Sequence, residues 1–160
     1  MRYLSILPDR VSNTYEGKIF SLWAMYLYLV LITFRSLVHM FADDAGLNSI
    51  ASIIVFPVID NVDPNKIIYM LGSFWGGAQI VFLIFSIIVV IKYKNLLPLI
   101  WLLFMLDNVL RLITLYLHYP GSEYTTSTAP GSFFGTLVMF LFTFIMFYLS
   151  ILKKKEIYGS

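Results

Sequence analysis

The stretch IIYMLGSFWGGAQIVFLIFSIIVVI, residues 67–91, contains no Asp, Glu, Lys or Arg. An α-helix rises about 1.5 Å per residue, so a helix over this stretch is longer than the hydrocarbon core of a bilayer, which is about 30 Å thick. A helix also satisfies its own backbone hydrogen bonds without water, as the core of a bilayer requires. The stretch therefore predicts a transmembrane helix.

Three other segments have the same character. We predict further transmembrane helices over residues 19–39, 96–118 and 133–152. The composition agrees, because hydrophobic residues make up 59% of the chain and charged residues 12%, against roughly 45–50% and about 25% in soluble domains. The predicted fold class is an all-α integral membrane protein, in which residues 1–160 form a single membrane domain, a four-transmembrane-helix bundle.

A shorter apolar stretch lies between the first two predicted spans, at about residues 48–58. It is too short to cross a bilayer. Asn48 or Ser49 is suited to cap the start of a helix there, and Pro57 stands near its end. We predict a short interfacial or re-entrant helix between spans one and two.

The distribution of Lys and Arg predicts the orientation, because positive residues near the ends of spans favour the cytoplasmic side. One set of segment ends carries eight of them: Arg2, Arg10, Lys18, Lys92, Lys94, Lys153, Lys154 and Lys155. The other set carries only Lys66. We predict N-in/C-in topology, and the short loops with a lysine-rich tail favour a bacterial inner membrane. Because the positive charges cluster at segment ends, the net charge of +2 does not indicate nucleic-acid binding.

Small residues in the second span indicate where helices approach closely. Gly72 and Gly76 have the small-xxx-small spacing that lets two helix backbones meet. Two alternatives are open, namely packing against another span of the same chain and dimerisation. The fourth span contains no Asp, Glu, Lys, Arg or His, so we expect it to face lipid or another subunit.

Charged and polar side chains inside the spans are the candidate functional residues, because a central Asp or Arg costs about 2.5–3.5 kcal/mol on insertion scales. Asp107 and Arg111 stand at i, i+4, a spacing that permits an ion pair. In the predicted topology the polar groups of three spans fall at mid-membrane or in its outer half, so we expect one outward-facing pocket. The predicted ligand-binding residues are Arg35, His39, Gln79, Asp107, Asn108 and Arg111, with Asp43, Asp44, Ser49 and His118 as contributors from the loops.

Two interpretations of these charges are open. In the first, Asp107 and Arg111 only pair to hold the third span in place, while Arg35 extends its guanidinium to the interface. In the second, two arginines against one mid-span acid leave a positive surplus. Such a surplus suits an anion, a lipid headgroup or a loop carboxylate from Asp43 or Asp44.

The leading hypothesis is a small multi-pass membrane protein whose outward-facing polar pocket binds a small polar or anionic ligand or a lipid headgroup. One alternative is a non-catalytic accessory subunit of a larger membrane complex, or a homo-oligomer, docking through the fourth span and the Gly72/Gly76 face. Another is a lipid-modifying membrane enzyme with His39 and Asp43 or Asp44 as acid and base, which we favour less. The chain has no cysteine, we predict no metal site, and the sequence does not indicate a cofactor.

Overall fold

A computed structural model of the chain describes residues 3–126 and 133–153. Three residues used to predict the orientation, Arg2, Lys154 and Lys155, lie outside the described residues. The second half of the loop before the fourth span, residues 127–132, also lies outside them.

Four long helices account for most of the described chain: α1 (Ile19–Phe41), α2 (Asn65–Lys92), α3 (Leu97–Leu117) and α4 (Phe133–Ile151). All four are long and apolar enough to cross a membrane. Short 3-10 turns lie at Lys94–Leu96 and Ser122–Tyr124. The prediction of an all-helical chain with four membrane-length helices is confirmed, and the helix bounds differ from the predicted ones by two residues or fewer.

The helices associate as two pairs. α1 packs extensively against α2, and α3 against α4, whereas α1 touches α4 and α2 touches α3 over shorter stretches. One end of the bundle, the terminal end, consists of residues 3–18, 93–96 and 149–153. The opposite end, the loop end, consists of residues 42–64 and 118–126.

Hydrogen bonds to backbone carbonyl groups hold the segments of the terminal end together. Leu4 donates from its N–H to the carbonyl oxygen of Ile151 at 2.7 Å. The side-chain amide of Asn95 donates to the carbonyl oxygen of Arg10 at 2.8 Å. The described Lys and Arg residues of the predicted cytoplasmic set belong to these segments or adjoin them, so they gather at one end of the bundle.

An aromatic cluster fills the half of the bundle nearer the terminal end. The centre of the Tyr28 ring lies 4.7 Å from the ring centre of Phe104 and 5.5 Å from that of Trp101. The ring centres of Phe82 and Phe104 are 4.9 Å apart. Trp101 is fully buried, and its indole N–H donates to the carbonyl oxygen of Ser21 at 3.3 Å. Aromatic pairs of this kind contribute about 0.5–1.5 kcal/mol beyond the area they bury. Three helices are thereby packed around an apolar plug.

Gly76 is a point of very close approach between α1 and α2. A Cβ atom at this position would lie 2.5 Å from the backbone nitrogen of Met40 and 2.6 Å from the carbonyl carbon of His39. A Cβ atom at Gly72 would lie 2.9 Å from the side chain of Leu47. The Gly72/Gly76 face is therefore covered by the chain itself. The intramolecular alternative is confirmed, and this face is not free for docking a partner subunit or a second copy.

The predicted helix over residues 48–58 is wrong. Residues 43–51 form consecutive turns, and residues 52–58 contain no helix. Ala45 and Ser52 have positive φ angles of 50° and 57°, and a right-handed helix does not pass through this left-handed region. The apolar side chains of the stretch are carried instead by a turn and an irregular segment at the loop end.

Asp44 organises the turn. Its carboxylate accepts hydrogen bonds from the backbone N–H groups of Gly46, Asn48 and Ser49 at 2.8, 3.1 and 2.7 Å. A side-chain acceptor of this kind competes with helical hydrogen bonds. Burial acts to raise the pKa of Asp44, but the hydrogen bonds from Ser49, Gly46 and Asn48 outweigh it and hold that pKa below its ordinary value.

Main-chain hydrogen bonds join the two loops of the loop end. The N–H groups of Ile54 and Thr126 each donate to a carbonyl oxygen of the other loop, at 3.1 and 2.8 Å. Ile53 and Thr125 form an antiparallel bridge between these two bonds. This loop tie connects the α1–α2 pair to the α3–α4 pair.

Replacing Gly76 with Ala is expected to lower the thermal stability of the bundle, because the new Cβ collides with the α1 backbone. Overpacking of this kind costs about 1–3 kcal/mol. Gly77→Ala is the matched control, since a Cβ there meets the Met40 sulfur at 3.5 Å, an ordinary contact. Thermal denaturation of both variants in one detergent, followed by circular dichroism, makes the comparison. Equal stability of the two variants would contradict the close approach at Gly76.

Replacing Asp44 with Ala is expected to loosen residues 44–54, because three backbone donors lose their acceptor. Loss of a capping carboxylate costs about 1 kcal/mol, which corresponds to roughly fivefold faster amide exchange. Asp43→Ala is the control, because Asp43 is exposed and next in sequence. Hydrogen exchange read by mass spectrometry measures the effect. The same protection in both variants would contradict the role of Asp44.

The same loop is expected to respond to pH in the wild-type protein. Because the folded-state pKa of Asp44 is lowered, its stabilisation is present above the unfolded-state pKa of about 3.9 and is lost as pH falls through the folded-state pKa. Protection of residues 44–54, corrected for intrinsic exchange, should therefore hold from neutral pH down to about pH 5. It should fall only in stronger acid, and a loss near neutral pH would contradict this account.

Candidate functional site

Trp75 on α2 lies among the charged side chains of the spans. The Cζ atom of Arg35, from α1, is 5.0 Å from the centre of the indole ring, and that of Arg111, from α3, is 4.6 Å from it. Both distances are within the range of cation–π attraction. Three helices therefore meet at one ring. We name Arg35, His39, Trp75, Asp107 and Arg111 the Trp75 cluster.

The predicted ion pair within α3 is present. Arg111 donates from Nε to Oδ2 of Asp107 at 2.7 Å. The side chain of Arg111 is 20% exposed and that of Asp107 is 45% exposed. The pair is thus formed without being enclosed by the bundle, and Asp107 compensates one of the two guanidinium charges.

Arg35 is the cation without such compensation. The described residues give Arg35 no carboxylate partner. Its Nε donates a long hydrogen bond, 3.5 Å, to Nε2 of His39 on the same helix. Two guanidinium groups at one ring against one carboxylate leave the Trp75 cluster with a positive surplus.

His39 is buried and fully engaged. Its Nδ1 lies 2.7 Å from the carbonyl oxygen of Ala45, and only a protonated ring nitrogen can donate to a carbonyl. Nε2 is then the acceptor for Arg35, so the contacts define a neutral imidazole. The centre of the His39 ring also lies 4.9 Å from that of the Trp75 ring, and the two ring planes are inclined at 32° to each other. Because both ring nitrogens of His39 are hydrogen-bonded, neither is available as the general base that the enzyme alternative requires.

Gln79 lies one turn from Trp75 along α2, towards the aromatic cluster. Ser36 on α1 donates from Oγ to Oε1 of Gln79 at 3.3 Å. The Nε2 atom of Gln79 is buried and has no hydrogen-bond partner among the described residues. A buried donor without an acceptor costs about 1–3 kcal/mol. Gln79 is therefore the neutral group with a donor to offer a bound acceptor.

The other predicted residues take no part in the Trp75 cluster. Asn108 is buried but donates to a carbonyl of its own helix at 2.9 Å. Asp44 is committed to its turn, and Asp43, Ser49 and His118 are exposed. Neither loop carboxylate forms an ion pair with an arginine in the described structure. Within the same residues, no three acidic or histidine side chains come close enough to hold a metal ion.

Trp75 is the member that sequence reasoning missed. Its signal was its position, since it precedes Gln79 by four residues and shares a helix face with it. An aromatic residue in an apolar span is ordinary, however, and which side chains it meets depends on how the helices are rotated. That rotation becomes visible only in the structure.

A separate cavity of about 180 Å³ lies at the terminal end, remote from the Trp75 cluster. Among the described residues that line it, only Glu16 is charged, and Glu16 pairs with Lys153 at 3.3 Å. Burial, partly offset by a hydrogen bond with Ser21, raises the pKa of its lining residue Tyr15 to about 12. The cavity therefore lacks the surplus charge of the Trp75 cluster, and we assign it no ligand.

The Trp75 cluster can recognise a group with several acceptor oxygens. A guanidinium presents its N–H donors in a planar fork that matches carboxylate and phosphate oxygens. Stacking on an indole holds that fork in a defined plane.

No protein-family model matches this chain, and no curated protein or solved structure matches it.

Proposed function

We propose that this chain is a binding protein embedded in the bacterial inner membrane, with its terminal end in the cytoplasm and its loop end outside. The Trp75 cluster then lies in the outer half of the bundle and holds an anionic group, a phosphate or a carboxylate. The observation that carries the proposal is that Arg35 and Arg111 contact the same Trp75 ring while only one carboxylate, Asp107, accompanies them.

The electrostatics of a membrane interior support this function. Each arginine within a span costs about 2.5–3.5 kcal/mol even on lenient scales, and two like charges near one ring repel each other. Asp107 offsets the charge of Arg111 at 2.7 Å. A bound anion would offset the charge of Arg35 in the same way and would complete the compensation of the cluster.

The residues have distinct roles in the proposed site. Arg35 and Arg111 donate charge-assisted hydrogen bonds to the anion. Trp75 holds both guanidinium groups, Asp107 orients Arg111, and the free N–H of Gln79 adds a neutral donor. His39 positions Arg35 by accepting from its Nε.

The accessory-subunit alternative keeps one of its two predicted surfaces. The Gly72/Gly76 face is covered, but α4 exposes apolar side chains such as Phe134, Val138 and Ile145. Such a face suits lipid and a partner helix equally. An exposed apolar face on α4 does not explain why two arginines lie at Trp75, and for this reason the accessory-subunit function is our second proposal.

Arg35→Gln is expected to weaken anion binding at least tenfold, because a charge-assisted hydrogen bond contributes about 1.5–3 kcal/mol. The test titrates purified protein in a neutral detergent with inorganic phosphate, acetate and a short-chain phosphatidic acid, by calorimetry. Arg35 is the best residue to change, since its removal leaves no described carboxylate unpaired.

Lys66→Gln is the matched control, because it removes one exposed positive charge from the first turn of α2, beside the loop end and outside the cluster. It should bind as the wild type does. If none of the three probes binds wild-type protein, or if Lys66→Gln weakens binding as much as Arg35→Gln, the proposed site is refuted.

A further inference from the structure

We infer that the anion is the headgroup of an anionic membrane phospholipid, which enters the Trp75 cluster sideways from the bilayer. The inference rests on the proposed function and specifies its ligand. The phosphate would lie against Arg35 and Arg111, and the acyl chains would lie along the apolar surface beside them.

The exposure of Asp107 indicates an opening in the side of the bundle. Asp107 is the middle residue of α3, Leu97–Leu117, and so lies about 15 Å from either end of that helix. Its side chain is nevertheless 45% exposed. Trp75, also within a span, is 37% exposed. The cluster is thus accessible from a direction roughly perpendicular to the helices.

The surface that borders this opening is apolar. Leu31 lies one turn from Arg35, Leu71 one turn from Trp75, and Leu110 one turn from Asp107 on their respective helices. These three leucines are 51%, 58% and 55% exposed. A charged centre beside exposed aliphatic side chains complements a molecule with an anionic head and hydrocarbon chains.

The loop end obstructs the route along the bundle axis. The turn that Asp44 organises packs down onto the cluster, since the carbonyl oxygen of Ala45 bonds His39 and a Cβ at Gly72 would touch Leu47. Ala45 and Leu47 are buried. Beyond this turn, the loop tie bridges the two helix pairs. Lateral entry avoids both obstacles.

The charge of the cluster selects among lipids. Two guanidinium groups and one carboxylate leave one positive charge, which a single phosphodiester neutralises. Phosphatidylglycerol has that phosphodiester and no cation of its own. Phosphatidylcholine has the same phosphate, but its choline would be brought towards two arginines. The cluster should therefore prefer phosphatidylglycerol.

The test reconstitutes the full chain in phosphatidylcholine nanodiscs and measures the immobilised fraction of spin-labelled phosphatidylglycerol by electron paramagnetic resonance. We expect at least tenfold preference over spin-labelled phosphatidylcholine, lost in Arg35→Gln. Aqueous glycerol phosphate should not displace the lipid. Leu110→Trp, which adds bulk at the opening, should reduce immobilisation at least threefold, whereas Val138→Trp on the exposed face of α4 should not.

A disulfide at the loop tie separates the two routes of entry. Ile53 and Thr125 form the narrow type of antiparallel pair, with Cα atoms about 4.5 Å apart, which a disulfide can span. Because the chain has no cysteine, Ile53→Cys/Thr125→Cys forms this bond without competitors. The oxidised and reduced forms should immobilise phosphatidylglycerol equally.

Three outcomes would overturn the inference. Binding that is lost on oxidation and restored on reduction would show entry through the loop end. Displacement by glycerol phosphate, or binding of aqueous anions alone, would show a soluble ligand and would leave the proposed function intact. Failure of wild-type protein to bind inorganic phosphate, acetate or short-chain phosphatidic acid in detergent would refute the proposed function itself.

Discussion

The close approach of α1 to α2 at Gly76 determines the geometry of the loop half of the molecule. Because glycine has no Cβ, the α1 backbone at His39 rests directly on α2. His39 then faces Trp75, the residue before Gly76, and Arg35, one turn earlier on α1, reaches the same ring. α3 adds Arg111. A steric requirement at one glycine thus brings the arginine of α1 to the indole, and the packing of α3 brings the second.

The two halves of the bundle solve different physical problems. Nearer the terminal end, the rings of Tyr28, Phe82 and Phe104 join three helices with no charge to compensate. Nearer the loop end, two arginines and one aspartate lie at a single indole, so their charges must be balanced. The apolar half supplies the rigidity that holds the charges in position. The engagement of His39 by Ala45 and Arg35 is one reason that we propose binding and not catalysis.

Prediction from sequence succeeded where one local rule decides the outcome. Bilayer thickness sets the length of an apolar run, so the four helices were predictable, and i, i+4 spacing placed Asp107 beside Arg111. The turn at residues 43–51 was not predictable from apolar content, because hydrogen bonds to Asp44 displaced helical ones. Contacts between helices depend on their relative rotation, and for this reason the role of Trp75 and the engagement of His39 by a loop carbonyl were missed.

Native mass spectrometry of the protein, extracted gently from its own membrane, tests most directly whether the Trp75 cluster holds an anionic ligand. We expect one retained phosphate-bearing lipid on the wild-type chain and on Lys66→Gln, and a bare chain for Arg35→Gln. A bare chain in all three samples would contradict it. So would a stoichiometric larger subunit that is bound to the wild-type chain and lost from Arg35→Gln, because the charges would then serve assembly and not ligand binding.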